Sequence, residues 1–477
     1  MNKKVLVIFF LLLGALGCRK ENQNIKSIPK NNGLPVANGL PITVTVNQNQ
    51  KGNPIPLTFT GLSFETQILT ANPEFLNINN GVLVQLIKNL GPGILRIGGS
   101  TSDEIDWTGA PRTSATPADM LTTSDVDRLS AFSQKIGWPV LFGLNLGNND
   151  IPAAVNEASY VHNMLKGNLY AFQSANEPDV FNLGLRPASY QYGNYQVEWG
   201  NYLHAIKKAL PGDAFAGPDV AYNTDWFTSF AENEHSNVNF LDGHRYTTGP
   251  ASSPGIDYHN ILDYDYDLDT YLNQLEAEAV KFNKPYRITE CNSIWGGGKP
   301  GVSNVFAASL WALNFMWTVA MENSAGVNFH GGNGLCYSPV LMEPNNVYTV
   351  GPVYYAMLAF KYGSEGGVII PTTVSNTSYC SAYTCVKPDK SYSITLINKD
   401  DVKNYSFTIR LNDMAGKIQI MRLMAPSVIS AAGITFAGAS VNANGTYTPK
   451  QIEQYTVNDN NFVINIPAGS AAIVTVK

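Results

Sequence analysis

The sequence has few cysteines, and none of them is spaced to hold a metal ion. The five are Cys18, Cys291, Cys336, Cys380 and Cys385. They form no Cys-x-x-Cys pattern, and the six histidines include no His-x-x-x-His pair, so neither a metal nor another cofactor is implied. The short gap between Cys380 and Cys385 suits either a disulfide across a turn or two small apolar residues in strands.

Charge is also scarce. Charged residues make up 14% of the chain, and the formal net charge is −6. The sequence has no block of Lys and Arg residues of the kind that binds the phosphate backbone of a nucleic acid. Nucleic acid is therefore excluded as a partner. Aromatic residues are plentiful at 11%, which is typical of a large folded core and of surfaces that stack on sugars.

Long apolar runs are missing after the first residues. The run from Val5 to Leu16 is too short to cross a bilayer core of about 30 Å and is typical of a signal peptide. Residues 1–18 end on small residues and a cysteine, as in the lipidation box of bacterial lipoproteins. We therefore expect a secreted protein whose Cys18 is acylated and anchors it to a bacterial membrane, in the periplasm or at the cell surface. Residues 19–40 are polar and aperiodic and are predicted to be a flexible tether.

Residues 57–362 alternate short apolar runs with longer helical patterns, which indicates βα units and a parallel sheet. Eight units of this kind predict a (β/α)8 barrel with its active site at the C-terminal ends of the strands. The predicted strands are Leu57–Phe64, Ile94–Ile97, Pro139–Leu144, Leu169–Ser174, Ala214–Ala216, Phe240–Leu241, Tyr286–Thr289 and Gly326–Phe329. Helical periodicity is clearest over Ser124–Lys135, Tyr190–Leu210, Leu268–Phe282 and Val305–Met321.

Residues 363–477 have a different pattern, with short alternating segments rich in β-branched residues. They predict a C-terminal β-sandwich with strands over Tyr392–Leu396, Ser406–Leu411, Ile418–Leu423 and Phe462–Ile466. A further strand, Ile42–Val46, lies in residues 41–56, before the barrel. We expect this strand to pair with the C-terminal sheet and join the two domains.

Polar side chains stand at nearly every predicted strand end of the barrel. They include a pair of glutamates, Glu177 after the fourth strand and Glu290 after the seventh. A pair of carboxylates in such positions suits a retaining glycosidase, in which one protonates the leaving oxygen and the other attacks the sugar carbon. The other strand-end residues are Glu65, Ser100, Asp103, Asn145, Asn176, Asp219, His244, Tyr246, His330 and Asn333.

Three stretches of the barrel resemble glycoside hydrolase family 79, which contains heparanase and the microbial β-glucuronidases. They are Leu95-Arg96-Ile97-Gly98-Gly99-Ser100, Ser174-Ala175-Asn176-Glu177-Pro178 and the segment from Thr289 to Gly298. The segments Asn328–Gly332, Tyr337–Pro339 and Gly351–Ala356 are closer to the microbial glucuronidases than to heparanase. The resemblance covers about residues 59–362.

The resemblance implies that Glu177 is the acid/base and Glu290 the nucleophile. It implies that Asn176 contacts the sugar hydroxyl beside the reacting carbon, that Tyr246 holds the nucleophile, and that Glu65 binds a hydroxyl at the far side of the ring. The expected sugar-binding residues also include Ser100, His244, Trp295, Gly296, Gly297 and Tyr337. Trp107 is a further stacking candidate, although a buried core tryptophan is the commoner explanation for it and for Trp295.

One position departs from the heparanase pattern: Gly334 stands where heparanase has a tyrosine, so that Tyr337 would have to read the uronate carboxylate. No Lys/Arg cluster of the kind that holds sulfated chains lies near the strand ends. The sequence thus predicts a retaining exo-β-glucuronidase acting on terminal glucuronic acid or its 4-O-methyl form. The alternatives are another clan A enzyme, such as a β-glucosidase or β-xylosidase, and a non-catalytic glycan-binding lipoprotein.

Overall fold

The computed structural model describes residue 34 and residues 36–412, 416–457 and 460–477. The predicted signal peptide, Cys18 and the tether up to residue 33 lie outside the described residues. Within the described part, no helix has the length and apolarity needed to cross a membrane.

Eight parallel strands form the barrel, and the predicted fold class is confirmed. Their order around the sheet places the first strand between the second and the eighth, with the remaining strands following in sequence on either side. The first residues of the strands are largely apolar and buried, so that the sheet of the barrel excludes water there. The strands are Thr60–Glu65, Ile94–Gly98, Val140–Leu144, Leu169–Ser174, Ala216–Val220, Phe240–Thr248, Tyr286–Ile294 and Val327–Gly331.

The barrel closes weakly between its fourth and fifth strands. A single bridge, Phe172 to Phe215, links them as sheet. Beyond that bridge, the backbone N–H of Glu177 donates to the carbonyl of Asp219 at 2.8 Å. The fifth strand also begins two residues later than its apolar pattern suggests, with Pro218 inside it, where a ladder donor is missing.

The sixth and seventh strands are longer than predicted, at nine residues each. They continue to pair with each other beyond the barrel wall, with Asn292 opposite Tyr246 and Ile294 opposite Thr248. Glu290 therefore lies inside its strand rather than after it, which corrects the predicted boundary. The pairing shifts register between Ile288 and Glu290, and such irregularities re-aim side chains next to active sites.

Ten α-helices surround the described barrel and its loops. Their starts follow ordinary capping chemistry: Thr122 and Asp125 form a capping box, and Asp150 accepts from the N–H of Ala153. The helices are Gln67–Ala71, Gly81–Asn89, Thr123–Ile136, Ile151–Leu165, Tyr192–Ala209, Thr224–Glu234, His259–Leu262, Tyr266–Phe282, Phe306–Met321 and Pro352–Ser364. Two short strand pairs, Asp106–Trp107 with Met120–Leu121 and Val340–Glu343 with Val347–Val350, lie in the loops after the second and eighth barrel strands.

The C-terminal domain is a sandwich of two sheets. One contains Val368–Ile370, Cys380–Val386, Tyr392–Asn398, Ser470–Val476, Gly416–Met424, Thr435–Phe436 and Glu453–Val457; the other contains Thr372–Val374, Leu40–Val46, Tyr405–Arg410 and Asn461–Ile466. The N-terminal strand thus runs parallel to Tyr405–Arg410, as expected.

The sandwich packs on the last two barrel helices. The rings of Trp317 and Tyr383 stack with centroids 5.6 Å apart, and the N–H of Phe306 donates to the carbonyl of Ser430. Cys380 and Cys385 lie in one strand and are free thiols, so the hypothesis of a disulfide across a turn is wrong.

Candidate active site

The carboxylate of Glu177 stands at the end of the fourth strand, on a residue with a left-handed backbone (φ 54°). The chain needs this conformation to turn into the short helix that begins at Pro178. The side chain is 22% exposed, and its Oε1 lies 2.9 Å from Nδ1 of the buried His244. The other ring nitrogen of His244, Nε2, lies 2.8 Å from Oδ1 of Asp219.

Glu290 is buried and each of its oxygens has a donor. Oε1 accepts from the hydroxyl of Tyr246 at 2.7 Å, and Oε2 accepts from a guanidinium N–H of Arg96 at 2.8 Å. Nδ1 of His330 lies 3.4 Å from the same Oε2. The sequence resemblance places Tyr246 against this glutamate, and the structure brings the two together.

Arg96 was not among the predicted site residues, although it lies in one of the motifs. Its side chain is fully buried, and all five N–H groups have an acceptor. Besides Glu290 these are Asp219 at 2.7 Å, Asn176 at 2.8 Å, Gln173 at 2.9 Å and Ser63 at 2.9 Å. One guanidinium therefore sets the positions of Glu290, Asp219 and Asn176.

The pKa shifts at the site give the two glutamates opposite tendencies. Burial disfavours the ionised form of Glu290, but the nearby cations His330, His244 and Arg96 and the hydrogen bond from Tyr246 outweigh it and hold its pKa well below the usual range. Burial raises the pKa of Glu177, His244 opposes that rise, and the charge of Glu290 adds to it.

His244 is the counter-charge of the network. Burial alone would lower its pKa, but the carboxylates of Asp219 and Glu290, together with hydrogen bonds to Asp219 and Glu177, raise it well above the usual range. Arg96, His244 and His330 then match Asp219, Glu290 and Glu65 in number. Of the two paired glutamates, Glu177 is therefore the one whose pKa is raised, by burial and by the charge of Glu290.

A second polar layer supports Asp219 from below. Oδ1 of Asp219 accepts from Thr289 at 2.9 Å and from Gln173 at 2.6 Å, and its backbone N–H donates to Asp242 at 2.8 Å. Burial and the charge of Asp219 raise the pKa of Asp242 to about 8. Asp103 accepts the backbone N–H of Asn176 at 2.7 Å, and burial raises its pKa to about 7.

Glu65 is connected to Glu290 through His330, which lies near both carboxylates. Its Oε2 accepts from the backbone N–H of Thr101 at 2.8 Å and from the Thr101 hydroxyl at 2.6 Å, and Nε2 of His330 lies 3.5 Å from its Oε1. Burial opposes ionisation of Glu65, but His330 and Thr101 lower its pKa. An added Cβ at Gly99 would overlap this carboxylate, which explains the glycine in the motif.

The glycine loop after the seventh strand packs against the loop that carries Tyr337. Gly296, Gly297 and Gly298 all have left-handed φ values (84°, 91° and 82°), which side chains rarely adopt. The carbonyl of Gly297 accepts the N–H of Cys336 at 2.9 Å. Tyr337 is buried, with its ring centroid 6.1 Å from Tyr246 and 6.2 Å from His330.

Three predicted binding residues have no contact with this network among the described residues. Trp295 is 49% exposed beside Gly249, and Ser100 is exposed at the start of a short helix. Trp107 packs on Tyr160 and donates to Asn156 at 2.7 Å. Their contact with sugar stays a prediction.

Glu177, His244 and Glu290 each present one ligand-type atom, all within 4.8 Å of one another, which is a spacing that also suits a metal ion. However, both ring nitrogens of His244 already face carboxylate oxygens. Because neither nitrogen points a free lone pair at a shared centre, the trio fits an acid/base arrangement better than a ligand set.

Comparisons with known proteins agree with the fold. Residues 382–473 match the Glycosyl hydrolase family 79 C-terminal beta domain. A β-glucuronidase of Aspergillus niger is 27% identical over 469 residues, covering 82% of this chain and 85% of that protein. Heparanase-like protein 3 of Arabidopsis thaliana is 24% identical over 381 residues, covering 71% and 68%.

Solved structures show the same fold. A 4-O-α-L-rhamnosyl-β-D-glucuronidase from Fusarium oxysporum 12S covers 91% of this chain and 100% of its own, at 21% identity and a TM-score of 0.74. A family 51 arabinofuranosidase from Xanthomonas axonopodis pv. citri covers 92% of this chain and 100% of its own, at 14% identity and a TM-score of 0.71. At these identities the likeness concerns the fold alone.

The barrel, its paired carboxylates and these relatives define the chain as a glycoside hydrolase. These relatives favour an enzyme over the alternative of a glycan-binding lipoprotein without turnover. Within that class, the C-terminal domain matches that of glycoside hydrolase family 79, and the similarity to a β-glucuronidase and to a heparanase-like protein is consistent with the same family.

Proposed function

We propose that the chain is a retaining exo-β-glucuronidase that removes terminal β-linked glucuronic acid, or its 4-O-methyl form, from glycans. The observation that carries the proposal is the spacing of the two glutamates: an oxygen of Glu177 lies within 4.8 Å of one of Glu290. Retaining enzymes keep their carboxyl groups only about 5–5.5 Å apart, whereas inverting enzymes leave room for a water.

In the first step the Glu290 carboxylate attacks the anomeric carbon while Glu177 gives its proton to the departing oxygen. The bond to the leaving group breaks, and a glycosyl ester forms on Glu290. Esterification removes the negative charge that had raised the pKa of Glu177. The pKa of Glu177 therefore falls, so that after donating its proton Glu177 stays ionised and can accept a proton from water in the second step.

The free Nδ2 of Asn176 supports its assigned contact with the hydroxyl beside the reacting carbon. Its Oδ1 is occupied by Arg96, and Nδ2 has no protein acceptor among the described residues. Glu65, ionised and held by Thr101, supplies an acceptor for a hydroxyl at the other side of the ring.

Roles and stereochemistry can be tested together by azide rescue. We expect Glu290→Ala to lose turnover of every glycoside, and Glu177→Ala to keep the first step on activated aryl glycosides, because good leaving groups need little protonation. Azide should then yield a β-glycosyl azide from Glu177→Ala. An α-azide from Glu290→Ala is consistent with these roles, whereas rescue of Glu177→Ala as an α-azide would contradict them.

Uronate selectivity is assigned to neutral donors. The backbone N–H groups of Gly296 and Gly297 have no protein acceptor among the described residues, and they adjoin the loop that carries Tyr337. Gly296 is exposed and Gly297 half-buried, so both donors are open to a ligand. A carboxylate that loses its water on entering the site requires such donors, whereas a glucoside carries no charge for them to bind.

We therefore expect kcat/KM for an aryl β-glucuronide to exceed that for the matching β-glucoside by at least about tenfold. Tyr337→Phe should reduce this ratio more than it reduces glucoside turnover. Tyr348→Phe, which alters a tyrosine bonded to the carbonyl of Glu74, is the matched control. Equal activity on both substrates, with no effect of Tyr337→Phe on the ratio, would assign the enzyme to another sugar such as glucose or xylose.

The Lys and Arg side chains around the active site support cleavage at the end of a glycan rather than within it. Among the described residues, the loops that follow the eight strands carry three Lys or Arg side chains, and each is bonded to protein acceptors. Arg112 pairs with Asp125, Arg186 with Glu198, and Lys299 with the carbonyl of Ser253. None is left to hold a long sulfated chain.

We also propose that residues 1–18 direct export and that Cys18 carries a lipid anchor. Mass spectrometry of the mature, membrane-bound protein should find an acylated Cys18 at its N-terminus. An unmodified Cys18 in that fraction would contradict the proposal.

A further inference from the structure

Tyr222 is an aromatic residue that the reaction at Glu177 and Glu290 does not use. It follows the fifth strand, and its side chain is 69% exposed. Within the described residues its ring packs on no other aromatic ring, and its hydroxyl has no hydrogen-bond partner. A single exposed aromatic residue is ordinary, but Tyr222 has a specific position in the loop after the fifth strand.

The backbone around Tyr222 is held from the residues next to the catalytic acid. Asp179, two residues after Glu177, accepts the N–H groups of Ala221 at 2.8 Å, Tyr222 at 3.3 Å and Asn223 at 3.1 Å. On the other side, the side chain of Asn223 accepts from the first turn of the helix Thr224–Glu234. Tyr222 is therefore an exposed ring on a fixed backbone.

The same loop is tied to Glu177 through the strand before it. The N–H of Glu177 donates to the carbonyl of Asp219 at 2.8 Å, and Asp219 lies three residues before Tyr222. An acid/base must face the glycosidic oxygen, so the surface that adjoins it on the solvent side faces the leaving group. Tyr222 thus stands beside the leaving-group side of the site, whereas Glu65 and Tyr337 lie on the glycone side.

We infer that Tyr222 is the stacking platform of a leaving-group subsite that takes a pyranose ring. An exposed aromatic side chain on a fixed backbone suits the apolar face of a sugar, and pre-organisation of that backbone lowers the entropy lost on binding. Rigid placement beside the acid aligns the glycosidic oxygen with the proton of Glu177. This inference rests on the proposed role of Glu177 as the acid.

The test compares two substrates that differ only in the leaving group. One is methyl β-glucuronide, which has no ring beyond the scissile bond, and the other is a disaccharide with β-glucuronic acid on the 6-hydroxyl of a hexopyranose. We expect Tyr222→Ala to lower kcat/KM for the disaccharide by about three- to tenfold and to leave methyl glycoside turnover within about twofold. Tyr222→Trp should restore the disaccharide activity. Tyr379→Ala, at an exposed tyrosine of the sandwich, is the matched control and should change neither value.

An unchanged ratio in Tyr222→Ala, or an equal loss on both substrates, would overturn the subsite. If the wild-type enzyme cleaves neither glucuronide, the glucuronidase proposal has failed, and the same pair is then made with whichever β-glycosyl group a chromogenic panel shows to be cleaved. The ratio of the two substrates decides on Tyr222 in either case.

Discussion

The barrel buries two arginines completely, and they have opposite surroundings. Arg96 donates to two carboxylates, two side-chain amide oxygens and one hydroxyl, which belong to Asp219, Glu290, Gln173, Asn176 and Ser63. The two carboxylates raise the pKa of Arg96 against the effect of burial. Arg287, near the start of the seventh strand, is bonded to Asn328 and to four backbone carbonyls, and burial lowers its pKa to about 10.

The difference distinguishes an arginine that positions the reacting groups from an arginine that stabilises the barrel. Arg96 holds charges that take part in the reaction, so its environment is anionic and its geometry sets that of Glu290 and Asn176. Arg287 donates hydrogen bonds to backbone carbonyls where neighbouring strands begin. These bonds stabilise the barrel and require N–H donors but no counter-ion. Active sites of this fold lie at the C-terminal ends of the strands, and conservation of the opposite end serves stability.

The largest expected effect comes from removing the catalytic-side arginine. Breaking a buried ion pair costs about 3–5 kcal/mol, so Arg96→Met should lower kcat/KM by about 10²- to 10³-fold even in protein that remains folded. Arg96→Lys keeps the charge but not the five-donor fork, and it should recover only part of the loss. Specific activity of the folded fraction, quantified by near-UV circular dichroism, is the measurement; activity within a factor of two of wild type would remove Arg96 from the site.

The opposite-side arginine should separate stability from activity. Arg287→Met leaves buried carbonyls without donors, at about 1–3 kcal/mol for each unsatisfied group, and should lower the thermal midpoint by several degrees. The folded fraction should retain kcat within about twofold. A large fall in kcat without a fall in the thermal midpoint would contradict the view that Arg287 stabilises the barrel and takes no part in catalysis.

The smallest effect is a shift of the pH profile in His244→Asn. His244 lowers the pKa values of both Glu177 and Glu290, so its removal should raise both. Activity requires Glu290 ionised and Glu177 protonated; therefore the acidic limb and the alkaline limb of kcat/KM should both move to higher pH, by about one unit or more. His162→Asn, which disrupts a histidine–carboxylate pair with Asp213 away from the site, should move neither limb.

The sequence was sufficient to predict the barrel because each strand is a short apolar run bounded by helical periodicity. The roles of Glu177, Glu290 and Tyr246 came from motifs rather than from local physics, and the structure brings these three side chains together with His244. Glu65 and Asn176 lie in the same network. Predicted boundaries differed most in the sixth and seventh strands, where pairing continues through polar residues that periodicity does not identify as strand.

Polar residues at strand ends do not reveal Arg96, Gln173 or Asp242 as site residues. All three lie within strands, among buried apolar neighbours. A signal was present: an arginine between Leu95 and Ile97 cannot be buried without several acceptors, and a carboxylate after Leu241 needs donors. Which acceptors they find depends on how distant strands line up around the barrel, and sequence spacing does not provide that information.

The strand Leu40–Val46 is synthesised long before the strand with which it pairs. It emerges early but pairs in register with Tyr405–Arg410, 405 − 40 = 365 residues later. At about 5–20 residues per second, the ribosome needs about 20–70 s to make that partner. Throughout this interval the alternating Ile-Thr-Val-Thr-Val segment has no partner strand, and such an unpaired edge can pair with another chain. Holding that segment in solution until the last domain arrives is a task for a chaperone.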